Sequence, residues 1–190
     1  MNRITLSTLL IGVFLCCACA GNNNEQKKKL AEELRKFQET AITLPDNLLA
    51  KHCDEQVSPD KTLLNRKLKM VVYVNQAGCQ DCKLHGLLPM TYMFMLENEH
   101  RNNFGVIIIL NSSDIESTDD TLAELRFRRT VFYDLDGSFE FLNPHLPANE
   151  LFHAFLLNEK NEVILVGNPV NNAKLNKLYL AEMDKIDNKS

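Results

Sequence analysis

Apolar and polar positions along this chain follow two rhythms. Lys69 to Val74 (KMVVYV) and Phe104 to Leu110 (FGVIIIL) are almost continuously apolar, as expected of strands, the second buried on both faces. Between them, Gln80 to about His100 predicts a helix. Ser117–Arg126 predicts a short second helix with Ser117 or Thr118 as its cap. Thr130–Tyr133 predicts a short strand. His153–Leu157 and Glu162–Val166 flank the polar run Asn158-Glu159-Lys160-Asn161, which is a hairpin signal. Leu175, Leu178, Tyr179, Ala181 and Met183 mark an amphipathic helix over Asn171–Ile186. The predicted order is β-α-β-α-β-β-α with no internal repeat. Such alternation implies an α/β fold, a central sheet covered by helices on both faces.

Upstream, Leu30, Leu34, Phe37 and Ala41 fall at helical spacing and predict a stalk or docking helix from Gln26. The Asn-rich Ala20–Glu25 stretch reads as a tether. Pro45 and Ser58-Pro59-Asp60 mark breaks. The expected organisation is a signal peptide over residues 1–18, a tether and N-terminal helix over 19–60, and the α/β domain over 61–190.

The N-terminus reads as an address. Met1-Asn2-Arg3 is a short basic start, and the apolar run Ile4–Leu15 falls short of the ~20 residues that span a bilayer. It closes in Leu15-Cys16-Cys17-Ala18-Cys19-Ala20. Small residues followed by cysteine resemble the lipobox of bacterial lipoproteins, with Cys19 as the lipidated residue and Cys17 as second choice. The resemblance implies a cell-envelope protein held to a membrane by a lipid anchor and facing the periplasm. Ala18-Cys19-Ala20 also fits an ordinary signal-peptidase site, and an uncleaved anchor is a third reading. All three place the body outside the cytoplasm, where cysteine pairs can be oxidised.

Composition removes several classes. A length of 190 residues suits one domain with an appendage, and 45% apolar with 24% charged residues suits a globular body. A net charge of −4 argues against nucleic acid as a partner, and the basic run Lys27-Lys28-Lys29 is followed at once by Glu32 and Glu33. No phosphate-binding glycine loop and no G-x-S-x-G motif is present, so nucleotide and hydrolase chemistry lack support. Asp134-Leu135-Asp136-Gly137 starts like a calcium loop without its later ligands and reads as a turn. Asp119-Asp120 reads as a helix start rather than an acid–base pair. Met90, Met93 and Met95, with Tyr92 and Phe94, fall on several sides of one helix and read as core and contact surface.

Three of the six cysteines lie in the first 19 residues, leaving Cys53, Cys79 and Cys82 in the body. An odd number argues against a plain disulfide framework. Cys53 reads as buried or spare. Cys79-Gln80-Asp81-Cys82 follows a predicted strand and opens a predicted helix. There the two sulfurs can meet across one turn, and the first faces the free N–H groups of the helix start. Thiolate attacks disulfides, so Cys79 is the candidate nucleophile and Cys82 the resolving thiol. Asp81 opposes thiolate formation. Lys83 and His85 favour it.

The stretches KMVVYVNQAGCQDCKL and FHAFLLNEKNEVILVGNPVNN resemble the thioredoxin-like superfamily, and in particular the small thioredoxin-like lipoproteins of Bacteroidales-type bacteria. The resemblance covers roughly Leu68 to Ile186. It implies a thioredoxin-like central mixed β-sheet flanked by helices. It also implies thiol–disulfide exchange outside the inner membrane, on a protein substrate and with a redox partner. A chain of this size with one pair of active thiols has no obvious need to oligomerise, so a monomer is expected, with no cofactor. Three positions depart from the family pattern. His153 stands where a cis-proline is usual, Pro89 follows Cys82 by seven residues rather than five, and Gln76-Ala77-Gly78 replaces the usual aromatic approach to the first cysteine. Two other functions share these residues. Cys79, Cys82, His85 and His153 would together suit zinc or copper. A binding module could keep the pair without turnover.

Overall fold

The computed structural model describes residues 9–170 and 172–188, with side chains described from Asn24 onward apart from Lys61. Residues 1–8 of the signal segment, and the side chains of residues 9–18 and of Cys19, thus lie outside what is described. The chain divides into two units, residues 1–36 and 37–190. In the first, α1 (Leu9–Gln38) runs through the Ala20–Glu25 stretch expected as a tether. Asparagine is only a few tenths of a kcal/mol per residue poorer than good helix formers, roughly, so a short Asn run does not break a long helix. The i,i+4 pairs Glu25–Lys29 and Glu32–Lys36 support it downstream. Among the described residues no helix is long and apolar enough to cross a membrane.

The second unit begins with the hairpin β1 (Leu49–His52) and β2 (Glu55–Gln56). Then come α2 (Lys61–Leu64), β3 (Leu68–Val74), α3 (Gln80–His85), a 3₁₀ turn at Leu88–Met90, α4 (Thr91–Glu99) and β4 (Phe104–Leu110). The second half holds α5 (Ile115–Glu124), β5 (Thr130–Tyr133), α6 (Ser138–Leu142) and a 3₁₀ turn at Glu150–Phe152. It closes with β6 (Ala154–Leu157), β7 (Val163–Val166) and α7 (Ala173–Asp187). The strands form one mixed sheet in the order β2-β1-β5-β4-β3-β6-β7. β3 runs parallel to β4 and β4 to β5, whereas β6 lies antiparallel to both β3 and β7. The α/β expectation holds.

The two apolar runs form the middle of the sheet, and their alternation fills both faces. Met70 and Val74 of β3, with Phe104, Ile108 and Leu110 of β4, enter one core layer with Leu84, Met90 and Tyr179. Val71, Tyr73, Ile107 and Ile109 enter the other with Phe37, Phe139 and Phe155. Each such aliphatic or aromatic side chain removed from water stabilises by roughly 1.5–3 kcal/mol, so β3 and β4 are the rigid base of the site. Gly105 serves this packing: a Cβ there would meet Leu63 Cδ1 of α2 at 2.4 Å.

Several elements depart from expectation. Residues 49–56, grouped upstream of the domain, are part of its sheet, with β1 antiparallel to β5 from Leu49↔Tyr133 to His52↔Thr130. Their short, polar sequence carries no alternation. The helix expected over 80–100 is broken into α3, the 3₁₀ turn and α4. Gly86 ends α3, and Pro89, which has no N–H to give, sits in the turn. α5 starts at Ile115, not Ser117, because Asp114 is its cap and accepts from Ser117 N at 3.0 Å. Asp119 therefore lies inside the helix, where it accepts from Tyr133 Oη at 2.6 Å and pairs with Lys51. The Asp134–Gly137 turn is present and adds a helix. Buried Asp134 accepts from Ser138 Oγ and Phe139 N and starts α6.

Candidate redox site

β3 delivers the chain to the site. Beyond Val74 the segment Asn75–Gly78 leaves the sheet. Gly78 has φ +73, the left-handed conformation that costs an L side chain roughly 1–2 kcal/mol. That turn places Cys79 in an extended conformation as the cap of α3. Cys79 and Cys82 form a disulfide with their Cα atoms 5.4 Å apart. Cys82 N donates to Cys79 Sγ at 3.2 Å, so negative charge on that sulfur would meet a donor already in place. Both cysteines are exposed.

Lys83, expected to favour the thiolate, is held by several neighbours. Its ammonium donates to the Asn75 and Ala77 backbone oxygens and the Asn75 side chain, and it pairs with Glu150 at 2.9 Å. It thus ties the loop before Cys79, the helix after it and the turn before β6. The hydrogen bond from Lys83, with its charge, holds the Glu150 carboxyl below the usual carboxylate range. On the other side of the loop, Gln76 Nε2 donates to Asn111 Oδ1 at 2.7 Å, and Asn111 Nδ2 donates to Tyr73 Oη at 3.3 Å. Burial pushes the Tyr73 hydroxyl up, so it remains protonated. Asn75, Gln76, Asn111 and Glu150 carry no motif and escape a linear reading. Their partners are set by the sheet.

The histidines separate. His85 is exposed, and its Nδ1 lies 2.9 Å from the Asp81 carbonyl, which can only accept, so Nδ1 carries a proton. His153 is buried at 5% exposure. Its Nε2 donates to the Pro147 carbonyl at 2.8 Å, its Nδ1 has no partner, and its ring lies 5.5 Å from that of Tyr73. Its backbone carbonyl accepts from Tyr73 N at 2.9 Å, at the end of the β3–β6 pairing. No described peptide bond is cis, so the backbone on either side of His153 is trans. With Asn75, Lys83, Glu150, Leu151 and Asn168, His153 lines a cleft of about 660 Å³.

These placements do not assemble the metal set of Cys79, Cys82, His85 and His153. The thiols are joined, His85 bonds to its own helix and His153 is committed to Pro147. Among the described residues no group of three His, Cys, Asp or Glu side chains could hold a metal ion. Cys53 is free and exposed rather than buried, in the β1–β2 turn with φ +56.

A mixed sheet with an exposed cysteine pair at the strand-to-helix junction defines the class: the fold is thioredoxin-like. A structure from Chlorobium tepidum assigned as the thiol:disulfide interchange protein DsbE superposes with a TM-score of 0.54 at 17% identity, over 75% of this chain and 96% of its own. The solution structure of a thioredoxin-like protein in the oxidized form gives 0.52 at 13% identity, over 79% of this chain and 98% of its own. No protein-family model and no curated protein sequence matches the chain.

Proposed function

We propose that this protein is a thiol–disulfide oxidoreductase acting on protein disulfides through Cys79 and Cys82. The observation that carries the reading is the exposed disulfide at the start of α3, with Cys82 N donating to Cys79 Sγ. In the reduced protein, Cys79 thiolate attacks one sulfur of a substrate disulfide. A Cys79–substrate bond forms as the substrate S–S bond breaks, and one substrate thiolate leaves. Cys82 thiolate then attacks Cys79 Sγ, closing the internal disulfide and releasing the second substrate thiolate. Two electrons pass from protein to substrate, and a dithiol partner returns them by the reverse sequence. The same steps run backwards oxidise a substrate dithiol. The N-terminal sequence supports the further reading that this chemistry occurs in the cell envelope on a chain lipidated at Cys19.

The test is trapping. The Cys82→Ser variant, reduced and exposed to a protein disulfide such as insulin, is expected to accumulate a mixed disulfide through Cys79, while Cys79→Ser is not. Equal trapping by both variants, or a wild-type pair that never exchanges with glutathione buffers, would sink the reading.

A further inference from the structure

Arginine is scarce in this chain and unevenly placed. Of seven arginines in a protein of net charge −4, five line three adjoining clefts of about 420, 300 and 290 Å³: Arg66, Arg101, Arg126, Arg128 and Arg129. Arg128 and Arg129 are common to all three, so the clefts form one strip. The Arg126-Phe127-Arg128-Arg129 cluster that anchors it follows α5. Arg129 is already engaged, stacked 4.5 Å over the Phe94 ring and paired with Glu97. The side chains of Arg101, Arg126 and Arg128 have no hydrogen bond or ion pair among the described residues, and all three residues are exposed.

The strip also has an apolar wall. Leu88 and Met95, 41% and 55% exposed, face the smallest cleft from the 3₁₀ turn and α4. Phe94 and Phe127, in edge contact with ring centroids 5.9 Å apart, form its inner side. Exposed apolar side chains beside free guanidinium groups are the composition of protein-binding surfaces, where Arg and Met are enriched. We infer that this face docks an acidic segment of a partner protein. An apolar side chain of that segment sits between α4 and the Arg126–Arg129 loop, and its carboxylates lie on Arg126 and Arg128.

The charges select this occupant over a polyanion or an anionic membrane. Asp54, Asp119 and Asp120 line the same strip as the arginines. A surface of continuous negative charge would press against them. A peptide with a few discrete carboxylates can place each on a guanidinium and keep clear of the acids. The inference stands apart from the disulfide chemistry, since neither Cys79 nor Cys82 lines these clefts.

The test uses the full-length chain and a fluorescent peptide of alternating Glu and Leu, followed by anisotropy at low and high salt. Binding that weakens with salt, and about tenfold or more in the Arg126→Ala/Arg128→Ala double variant and in Met95→Glu, is the expected result. A peptide with Gln in place of Glu should bind as weakly as that double variant. These substitutions fall at exposed positions, and Arg128→Ala alone serves as a milder second variant if the double variant misfolds. Equal binding by wild type and variants overturns the proposal. So does arginine-dependent binding to phosphatidylglycerol vesicles without peptide binding, which would assign the face to a membrane. Self-association that is lost in the variants, again without peptide binding, would assign it to a second copy.

Discussion

Two cysteine-bearing turns in this molecule solve the same geometric problem in opposite ways. At the end of β3 the chain must enter a left-handed conformation, and Gly78 takes it, with φ +73 and open space where a Cβ would stand. Cys79 is left free to adopt an extended backbone, cap α3 and meet Cys82. At the tip of the β1–β2 hairpin the left-handed residue is the cysteine itself, Cys53 at φ +56, exposed and unpaired. The first turn is further held by Lys83 on one side and by Gln76 and Asn111 on the other. The comparison shows that exposure alone does not distinguish the two cysteines. What marks the Cys79 turn is that strain, hydrogen bonds and charge are carried by neighbours, so the sulfur is placed without bearing the cost.

The contrast breaks most sharply on exchange. Cys79→Ser is expected to abolish disulfide exchange and Cys53→Ser to leave it unchanged, measured as insulin reduction by the pre-reduced chain. Loss of exchange in Cys53→Ser would erase the distinction. Next in size is the backbone. Gly78→Ala should destabilise by about 1–2 kcal/mol, since its side chain meets nothing but its φ is disfavoured. Cys53→Gly should stabilise by up to about 1 kcal/mol, and chemical denaturation midpoints of the two variants should move in opposite directions.

Smaller effects come from the loop clamp. Lys83→Met removes the donor to Asn75 and Ala77 and the partner of Glu150. An altered Cys79–Cys82 redox potential, read in glutathione buffers, with a stability loss of about 1 kcal/mol or less, is the expected outcome. A pure stability loss at unchanged potential would show that Lys83 only holds the loop. The smallest effect is on pH. Because the folded-state pKa of Glu150 is depressed, its contribution is present above the ordinary carboxylate range and is lost as pH falls through the folded value. Since Glu150 is 41% exposed, Glu150→Gln should change the acid slope of stability only slightly, and a large change would contradict the geometry.

How much of this was legible depended on whether the signal was local. The runs 69–74 and 104–110 are apolar throughout because both their faces are buried, and β3 and β4 fall where those runs do. The Asn158–Asn161 turn names the last hairpin, since Asn161 takes φ +62 and Asn158 Oδ1 accepts from Lys160 N and Glu162 N. The central mixed sheet is what the thioredoxin-like resemblance implies, and the Cys79–Cys82 pair lies at the strand-to-helix junction that its spacing marks. What escaped was either polar and short, such as β1 and β2, or made by contact across the sequence. Lys83 meets Glu150, Asp119 meets Lys51 and Tyr133, and the arginines gather on one face only once α4 and α5 are in place. The histidine at 153 could be aligned by counting, but its bond to Pro147 could not.

The β1–β2 hairpin also bears on solubility. β5 brings Val131, Phe132 and Tyr133 to the side of the sheet away from β6, all of them buried. Were β5 the outermost strand, its apolar rim would offer unsatisfied backbone groups to a neighbouring chain, the geometry from which strand-by-strand aggregation grows. β1 occupies that position, and the sheet then ends in Glu55–Gln56, two exposed polar residues too short to template a further strand. At the opposite border Thr40–Ile42 lies against the start of β7, with Val163 N donating to Thr40 O and Ile42 N to Asn161 O. Segments far from Cys79 and Cys82 in the sequence thus cover the whole of one border of the sheet and the beginning of the other.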